Sequence, residues 1–272
     1  MVESASIGVL GKVPKYRKSI SKSQLRLLLI IFKFRFVSSE YISKWLSKDK
    51  STVYERLFVL EKQGYVYKDY DSTFHLRQRP AIYSLATKGI KYIRNNGPNL
   101  SEVALRNMYK NRSASLQLVD HSLNIFKLCL LLKNQYPDIF DIFTKSELSA
   151  FDDFIKPLPD LYLRRVSKRS TRPDYQLETI EAGTMTWILK KRLQAHQGFL
   201  EESDSWDDDY PALLLICGNN NTEKRIQRIV NNGDFDFTIQ TTTSERIDSN
   251  NTKIWLKEYD PVWEDEMKFV AL

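Results

Sequence analysis

The stretch that decides the fold is KSTVYERLFVLEKQGYV, residues 50–66. Val53, Leu57 and Leu60 follow one another at steps of four and three residues, which places them on one side of a helix. Gly64 then offers the positive backbone angle on which helices commonly end, and an apolar run comes directly after it. The stretch therefore predicts an amphipathic helix that leads into a β-strand.

Two shorter amphipathic segments precede this helix. The first follows Ser21, a residue suited to capping, and carries apolar residues at helical spacing, namely Leu25, Leu28, Leu29 and Phe32. In the second, Ser38 or Ser39 is the expected cap, and the apolar side consists of Ile42, Trp45 and Leu46. The polar turn at residues 47–49 is short enough to require a helix-turn-helix corner.

Downstream of residue 66 the pattern becomes that of a basic β-hairpin. Two segments typical of strands, VYKDY and FHLRQRPAIYSLA, flank a short polar turn. The cationic side chains of this hairpin are Lys68, Arg77 and Arg79. Thr87 is the predicted cap of a closing helix that stops at Gly97. Three helices and such a hairpin indicate a winged helix-turn-helix, and that fold makes double-stranded DNA the expected partner.

This fold also predicts which side chains contact DNA. The outward face of the third helix is expected to read base edges in the major groove, while the hairpin contacts phosphates or the minor groove. The predicted DNA-binding residues are Lys48, Lys50, Ser51, Thr52, Tyr54, Glu55, Lys68, Arg77 and Arg79. A winged helix that serves only as a protein-protein adaptor is the alternative interpretation.

Charge is distributed unevenly along the chain. Residues 1–120 contain 22 of the 41 Lys and Arg residues and 9 of the 34 Asp and Glu residues, an excess of 13 positive charges. Residues 121–272 contain 19 Lys and Arg residues and 25 Asp and Glu residues, an excess of 6 negative charges. A basic field attracts DNA without reading its sequence. The basic arm at residues 1–20 is either a minor-groove contact or a solvated tail.

Length and composition indicate more than one domain. The 272 residues exceed the about 80–100 that a winged helix needs, and an apolar content of 42% supports packed cores. Cys129 and Cys217 are expected to be small core residues in a reducing compartment. The sequence contains neither an apolar run of membrane-spanning length nor an ordered secretion signal, so it predicts a cytoplasmic protein that does not bind membranes.

The domain organisation follows from these patterns. A basic arm (1–20) and the winged helix-turn-helix (21–97) precede a helical connector at residues 98–138. The apolar stripe of the connector either docks on the second domain or pairs with another copy of the chain, so a homodimer remains open. An α/β domain is predicted at residues 139–245 and a C-terminal tail at residues 246–272.

The predicted α/β domain alternates strands and helices. Its strands are IFDIFTK, PDLYLRRV, DYQLETI, the fully apolar PALLLIC and FDFTIQ. Helices are expected after AGT and over TEKRIQRIVNN. This order predicts a mixed sheet covered by helices on both faces, so the whole chain is an α+β or α/β protein.

The order of these elements resembles the restriction-endonuclease-like fold. Such sites use an Asp and a Glu to hold a divalent cation and a Lys near the attacking water. The candidate catalytic residues are Asp160, Glu178, Glu181, Lys190 and Lys191, with Asp160 and Glu181 as candidate metal ligands. Since alternate residues of a strand face opposite sides, Glu178 and Glu181 cannot share a face without a bulge. A degenerate site is therefore expected, with Mg²⁺ as a cofactor only if the site is active.

With both halves placed, the chain resembles the replication-relaxation family of plasmid and integrative-element proteins. The resemblance rests on STVYERLFVLEKQGYV and IYSLATKGIKYI in the first half, and on PDLYL, LETIEAGT and PALLLIC in the second. The acidic positions of the family correspond here to Thr179 and Glu181. The resemblance implies a role in the replication, conjugative transfer or maintenance of mobile DNA, beside a relaxase or a replication initiator.

Three functional hypotheses follow. The first is a double-stranded DNA-binding accessory protein of a mobile element with a non-catalytic second domain. The second is a metal-dependent nuclease or nickase guided by the winged helix. The third is a protein-interaction scaffold whose winged helix no longer binds DNA. The degenerate carboxylate pattern favours a protein that is not an enzyme, and the basic first half favours DNA.

Overall fold

The computed structural model describes residues 19–69, 80–167, 173–202, 210–249, 251, 253–258 and 268–272. Within these ranges the chain has a mixed α+β fold built on a small and a large sheet. Most of the predicted basic arm and the hairpin segment with Arg77 and Arg79 lie outside the described residues. Among the helices that the structure describes, none is long and apolar enough to cross a membrane.

Three helices open the described part of the chain: α1 (Lys22–Phe34), α2 (Ser39–Leu46) and α3 (Lys50–Lys62). The predicted caps Ser21 and Ser38 are confirmed, since their side chains accept hydrogen bonds from the backbone N–H of Gln24 and Tyr41. Ser47 has a left-handed backbone conformation between α2 and α3, which turns the chain sharply. The corner between α2 and α3 is therefore set by residues close to it in the sequence.

The small sheet is antiparallel, with the order β1-β3-β2 and the strands β1 (Val37–Ser38), β2 (Val66–Asp69) and β3 (Ile82–Leu85). The helix α4 (Thr87–Asn96) follows it. Gly64 ends α3 with φ of 76°, as predicted. The prediction that Thr87 caps α4 is wrong, because Ala86 is the capping residue and makes no side-chain cap hydrogen bond.

The predicted connector consists of α5 (Glu102–Met108), a short 3₁₀ helix (Asn111–Ser113) and the long helix α6 (Leu116–Gln135). Phe126 of α6 stacks on Phe34 of α1, with ring centroids 3.8 Å apart, and meets the edge of Trp45 of α2. The same side of α6 contributes to a core that also contains Leu161 and Leu177 of the large sheet. The middle of the α6 stripe is thus buried within the chain, whereas Leu116 at its start is exposed.

The large sheet contains seven of the described strands, in the order β10-β9-β8-β7-β6-β5-β4. The strands are β4 (Phe140–Thr144), β5 (Leu161–Arg165), β6 (Tyr175–Ile180), β7 (Ala212–Cys217), β8 (Ile239–Thr243), β9 (Trp255–Glu258) and β10 (Lys268–Val270). The pairs β6-β7 and β7-β8 are parallel and the other pairs are antiparallel. The predicted mixed sheet is confirmed.

Helices cover both faces of this sheet. The remaining helices are α7 (Lys145–Leu148), α8 (Thr186–Glu202), α9 (Asn220–Asn231) and α10 (Ser244–Ile247). Along β7, Leu214 and Ile216 belong to the core shared with α1, α3 and α6, whereas Leu213 and Leu215 pack with α8 and α9. Because a strand directs alternate side chains to opposite faces, α6 and α8 lie on opposite sides of the sheet.

Two predictions about the C-terminal elements need correction. The strand expected over FDFTIQ lies a few residues further on, at Ile239–Thr243. The residues predicted as a separate tail add β9 and β10 to the edge of the large sheet, and Trp255 is fully buried there. Cys129 and Cys217 are buried core residues, as expected.

Candidate functional sites

The outward face of α3 is open to solvent. Its apolar side faces the core through Val53, Leu57 and Leu60, as predicted. The exposed side chains are Lys50, Ser51, Tyr54, Glu55, Phe58 and Lys62. Tyr54 retains 43% and Phe58 37% of its possible exposure, which is high for aromatic side chains in a folded chain. Four of the five predicted contact residues of α3 are thus available to a partner, whereas Thr52 is half-buried.

The start of α3 is held in place by a local cap. Both the backbone N–H and the hydroxyl of Ser51 donate to the carboxylate of Asp49, each over 2.7 Å. These hydrogen bonds hold the pKa of Asp49 below its usual range. One predicted contact residue, Ser51, therefore uses its hydroxyl hydrogen within the cap, while Lys48 and Lys50 on either side of Asp49 stay exposed.

A cation from the small sheet lies on the same surface as α3. The ammonium of Lys68 on β2 is 5.6 Å from the ring centroid of Tyr54, and Lys62 is 5.2 Å from that of Phe58. We name this the α3-β2 surface, and it comprises Lys50, Ser51, Tyr54, Glu55, Phe58, Lys62 and Lys68. Residue Phe58 was missed by the sequence reasoning, although its position four residues after Tyr54 places both on one side of α3.

The candidate catalytic residue Asp160 is buried and fully engaged. One carboxylate oxygen lies 2.6 Å from Lys145 Nζ and 3.0 Å from His121 Nε2. The other oxygen accepts from the backbone N–H and the hydroxyl of Thr179, over 2.8 and 2.7 Å. Burial alone raises the pKa of Asp160, but the hydrogen bonds and charges of His121 and Lys145 outweigh it and hold the pKa well below its usual range.

The second candidate, Glu178, has its own set of partners. Arg192 Nε donates to both carboxylate oxygens over 2.9 Å, and His196 Nε2 lies 3.0 Å from one of them. Burial lowers the pKa of His196, and its Nδ1 lies 2.8 Å from the hydroxyl oxygen of Tyr210. The carboxylate of Glu178 raises the pKa of His196, but the effect of burial is larger. Glu178 is therefore part of a structural network.

The structure does not bring all five candidate catalytic residues to one site. Glu178 contacts α8, whereas Asp160 contacts α6 and α7 on the other face of the sheet. Glu181 is exposed and accepts from Gln117 of α6 over 3.1 Å. Lys190 and Lys191 are exposed on α8, and Lys190 lies beside Arg225 and Arg228. Asp160 and Glu178 therefore lie apart, whereas the candidate metal ligands Asp160 and Glu181 both contact α6, at His121 and Gln117.

A divalent cation does not fit at Asp160. Its two oxygens already accept four hydrogen bonds, and the ammonium of Lys145 is in direct contact. An oxygen ligand needs a free lone pair and a negative charge to bind a divalent cation. At Asp160 the hydrogen bonds occupy the lone pairs and the ammonium of Lys145 offsets the charge. In the part of the chain that the structure describes, no group of three or more His, Cys, Asp or Glu side chains is arranged to hold a metal ion.

His121, a half-buried member of the Asp160 network, borders two cavities. One cavity, of about 380 Å³, lies between α1, α6 and α7. The other, of about 580 Å³, lies along α6 and the carboxyl ends of β6, β7 and β8. Its hydrogen bond to Asp160 gives His121 a structural role. Comparison with family models, curated proteins and solved structures gives no match for this chain.

Proposed function

We propose that the chain is a double-stranded DNA-binding accessory protein whose residues 21–97 act as a winged helix-turn-helix. The observation that carries this proposal is the α3-β2 surface, where the polar side of a helix that follows a sharp turn is exposed beside a cation from the adjoining strand. A helix in this position inserts its outer face into the major groove. The strands β2 and β3 supply the base of the wing.

The charge of the first half supports the same partner. Residues 1–120 carry an excess of 13 positive charges, and the remainder carries an excess of 6 negative charges. Cations near the groove neutralise phosphates and release counterions, so binding of this kind weakens steeply as salt is added. Lys48 and Lys50 border the start of α3, where the phosphates flanking the groove would lie.

For the second half we propose a restriction-endonuclease-like arrangement without catalysis. The order of α6, the strands β4 to β6, α8 and β7 supports the resemblance in topology. Two of the three candidate carboxylates, Asp160 and Glu178, are bound by cations and lie on opposite faces of the sheet, and Glu181 accepts from the amide of Gln117. We therefore propose an accessory role in the replication or transfer of a mobile element, beside a relaxase or a replication initiator, and this role rests on the family resemblance.

The proposal is tested by selecting binding sites from a random duplex library and measuring affinity for the selected duplex by fluorescence anisotropy. We expect binding in EDTA that weakens with added salt, together with a clear preference over a scrambled duplex. Mg²⁺-dependent cleavage of the duplex would instead establish the nuclease hypothesis. Absence of duplex binding at low salt would contradict the proposal and favour a protein-interaction scaffold.

A matched pair of variants locates the binding surface. Tyr54→Ala removes an aromatic side chain from the α3-β2 surface, whereas Tyr109→Ala removes one of nearly equal exposure, 41%, from the end of α5. We expect Tyr54→Ala to weaken binding to the selected duplex by about tenfold, because base contacts contribute about 1–3 kcal/mol each. Tyr109→Ala should leave it unchanged. Equal losses would place the DNA elsewhere.

A further inference from the structure

A second cationic site lies on the opposite side of the large sheet from α3. It is a cavity of about 420 Å³ between α8 and α9. Its lining includes Lys190, Gln194, Arg225, Arg228, Asn232 and Phe235. This cavity thus combines three cations, two amide side chains and an aromatic ring.

The three cations are not neutralised within the described residues. None of Lys190, Arg225 and Arg228 lies within 4.0 Å of a carboxylate there. The nearby Asp236 accepts instead from Gln197 Nε2 over 2.6 Å. Three unpaired cations stand out in a half of the chain that carries an excess of 6 negative charges. Their grouping favours an anionic ligand.

The position of Arg225 is fixed by the fold. One guanidinium nitrogen donates to the carbonyl of Ala182 and to the hydroxyl of Thr222, each over 3.2 Å. The hydroxyl of Thr222 donates to the same carbonyl over 3.1 Å. An arginine held in this way has less freedom to lose when a ligand binds, and the other N–H groups of its planar guanidinium can donate to two oxygens of a phosphate.

Large apolar side chains are exposed at the start of α8, next to these cations. Trp187 retains 62% of its possible exposure, Met185 60% and Ile188 42%. Trp187 precedes Lys190 and Lys191 by three and four residues, so the three side chains are neighbours on the helix surface. Large apolar side chains exposed within four residues of one another are typical of an interaction site.

We propose that this α8-α9 surface binds single-stranded nucleic acid. Lys190, Arg225 and Arg228 contact the phosphates, and the indole of Trp187 stacks on an unpaired base. A groove of cations with an exposed aromatic platform is the combination by which proteins bind single strands, because the faces of unpaired bases are free to stack. In a duplex those faces are covered, so an exposed indole gains little there. The amides of Gln194 and Asn232 add hydrogen-bonding groups that suit base edges.

The proposed site is independent of the α3-β2 surface. α8 and α9 pack on one face of the large sheet, while α3 belongs to the core on the other face. Both surfaces are therefore open at the same time, and a duplex on α3 does not occupy the α8-α9 surface. The failure of either proposal can be recognised separately, since each has its own residues and its own probe.

The first experiment measures binding of a labelled oligo(dT) of about 15 nucleotides to the full chain by anisotropy, with oligo(rU) as a second arm. Lys190→Ala/Arg228→Ala is expected to weaken binding at least tenfold and to lower the salt slope by about 1.4, from about 0.7 for each phosphate contact. The control Lys110→Ala/Lys253→Ala removes two exposed cations elsewhere and should leave the affinity within about twofold. The two arms distinguish DNA from RNA as the bound strand.

The second experiment addresses stacking. Trp187→Ala is expected to weaken oligo(dT) binding about tenfold, whereas Trp187→Phe keeps an aromatic face and should retain most of the affinity. Urea unfolding of each variant verifies that the exposed substitutions leave the fold intact. All of these variants should bind the duplex selected on α3 with unchanged affinity, and Tyr54→Ala should bind oligo(dT) like the unaltered chain.

Several results would overturn the proposal. They are absence of oligonucleotide binding by the unaltered chain at low salt, equal losses in the control pair, and equal effects of Trp187→Ala and Trp187→Phe. Binding to phosphatidylserine vesicles that depends on Trp187, without oligonucleotide binding, would identify a membrane surface instead. Loss of duplex binding alone would contradict the proposed function and leave the single-strand site standing.

Discussion

The α3-β2 surface and the buried carboxylates of the large sheet are both polar, but they differ in what surrounds their polar groups. On α3, Lys50 and Tyr54 are exposed, and Lys68 adds a cation from a neighbouring strand. In the sheet, Asp160 and Glu178 are buried, and each carboxylate is bound by a cation and a histidine. In the first region the exposed charge of Lys50 can contact a partner, whereas in the second region the charges are paired within the fold.

This difference separates binding groups from structural groups. A buried charge needs partners within the fold, since its desolvation otherwise costs several kcal/mol, and those partners occupy its hydrogen-bonding capacity. An exposed charge keeps its water until a ligand displaces it. We therefore expect substitutions at Asp160 and Glu178 to change stability, and substitutions on α3 to change binding with little effect on stability.

The largest expected effect is that of Glu178→Ala. It leaves the guanidinium of Arg192 buried without its carboxylate, so the free energy of unfolding should fall by about 3–5 kcal/mol. Urea unfolding followed by circular dichroism measures this change. The control Glu181→Ala alters an exposed carboxylate three residues away and should stay within about 0.5 kcal/mol. Similar losses in both variants would contradict the structural role of Glu178.

The next largest effect is that of Asp160→Asn, and it depends on pH. At pH 7 the variant should unfold with about 2 kcal/mol less free energy, because hydrogen bonds to a charged carboxylate are lost. The pKa of Asp160 is lowered in the folded state, so its contribution is complete above the unfolded pKa of about 3.9 and is lost as the pH falls below it.

Unfolding of both proteins measured from pH 7 to pH 3 tests this sign. The difference between the unaltered chain and Asp160→Asn should be constant down to about pH 5 and should shrink as the pH falls further. A difference that grows on acidification would show that the carboxyl is stabilised in its protonated form. The network of His121 and Lys145 would then have been assigned the wrong role.

A smaller effect is expected from Thr52→Ala, on the α3 side of the comparison. We expect Thr52→Ala to lower the preference for the selected duplex, over a duplex changed at one base pair, about fivefold to tenfold, because Thr52 is predicted to contact a base edge. The free energy of unfolding should change by less than about 0.5 kcal/mol, because Thr52 makes no side-chain hydrogen bond within the described residues. A large loss of stability in Thr52→Ala would show that Thr52 stabilises the fold, and this would contradict its assignment to the binding surface.

The smallest effect is that of Lys50→Ala on the salt dependence of duplex binding. Loss of one phosphate contact should reduce the slope of log affinity against log salt by about 0.9 and weaken all duplex sequences alike. Lys253→Ala, an exposed lysine far along the chain, is the control and should keep the original slope. A reduced sequence preference in Lys50→Ala would reassign this residue to base reading.

Much of the secondary structure was predictable because its signals are local. The spacing of Val53, Leu57 and Leu60, the caps Ser21 and Ser38, and the positive φ at Gly64 all agree with the structure. Thr87 was wrong as a cap because position 86 has the extended backbone of a cap although Ala86 has no side-chain acceptor. The strand β8 begins four residues later than predicted, because apolar alternation does not mark where a strand begins.

The candidate site was harder to predict because it depends on long-range pairing. Asp160 and Glu178 belong to two consecutive predicted strands, yet their side chains lie on opposite faces of one sheet. The partners Lys145 and His121 come from other elements and have no fixed spacing to Asp160. The cluster of Lys190, Arg225 and Arg228 likewise forms only when α8 and α9 pack side by side.

The sequence by itself determined most of the helices and strands, the basic first half, and the polar outer side of α3, since each depends on neighbours within a few residues. The strands β9 and β10, in the predicted tail, became evident only from their pairing in the large sheet. Only the tertiary structure decided which charges are consumed and which remain available. The reason is that burial and ion pairing join residues as far apart as Lys33 and Glu147, whose side chains meet at 2.9 Å. The free energy of a charged group depends on those distant neighbours.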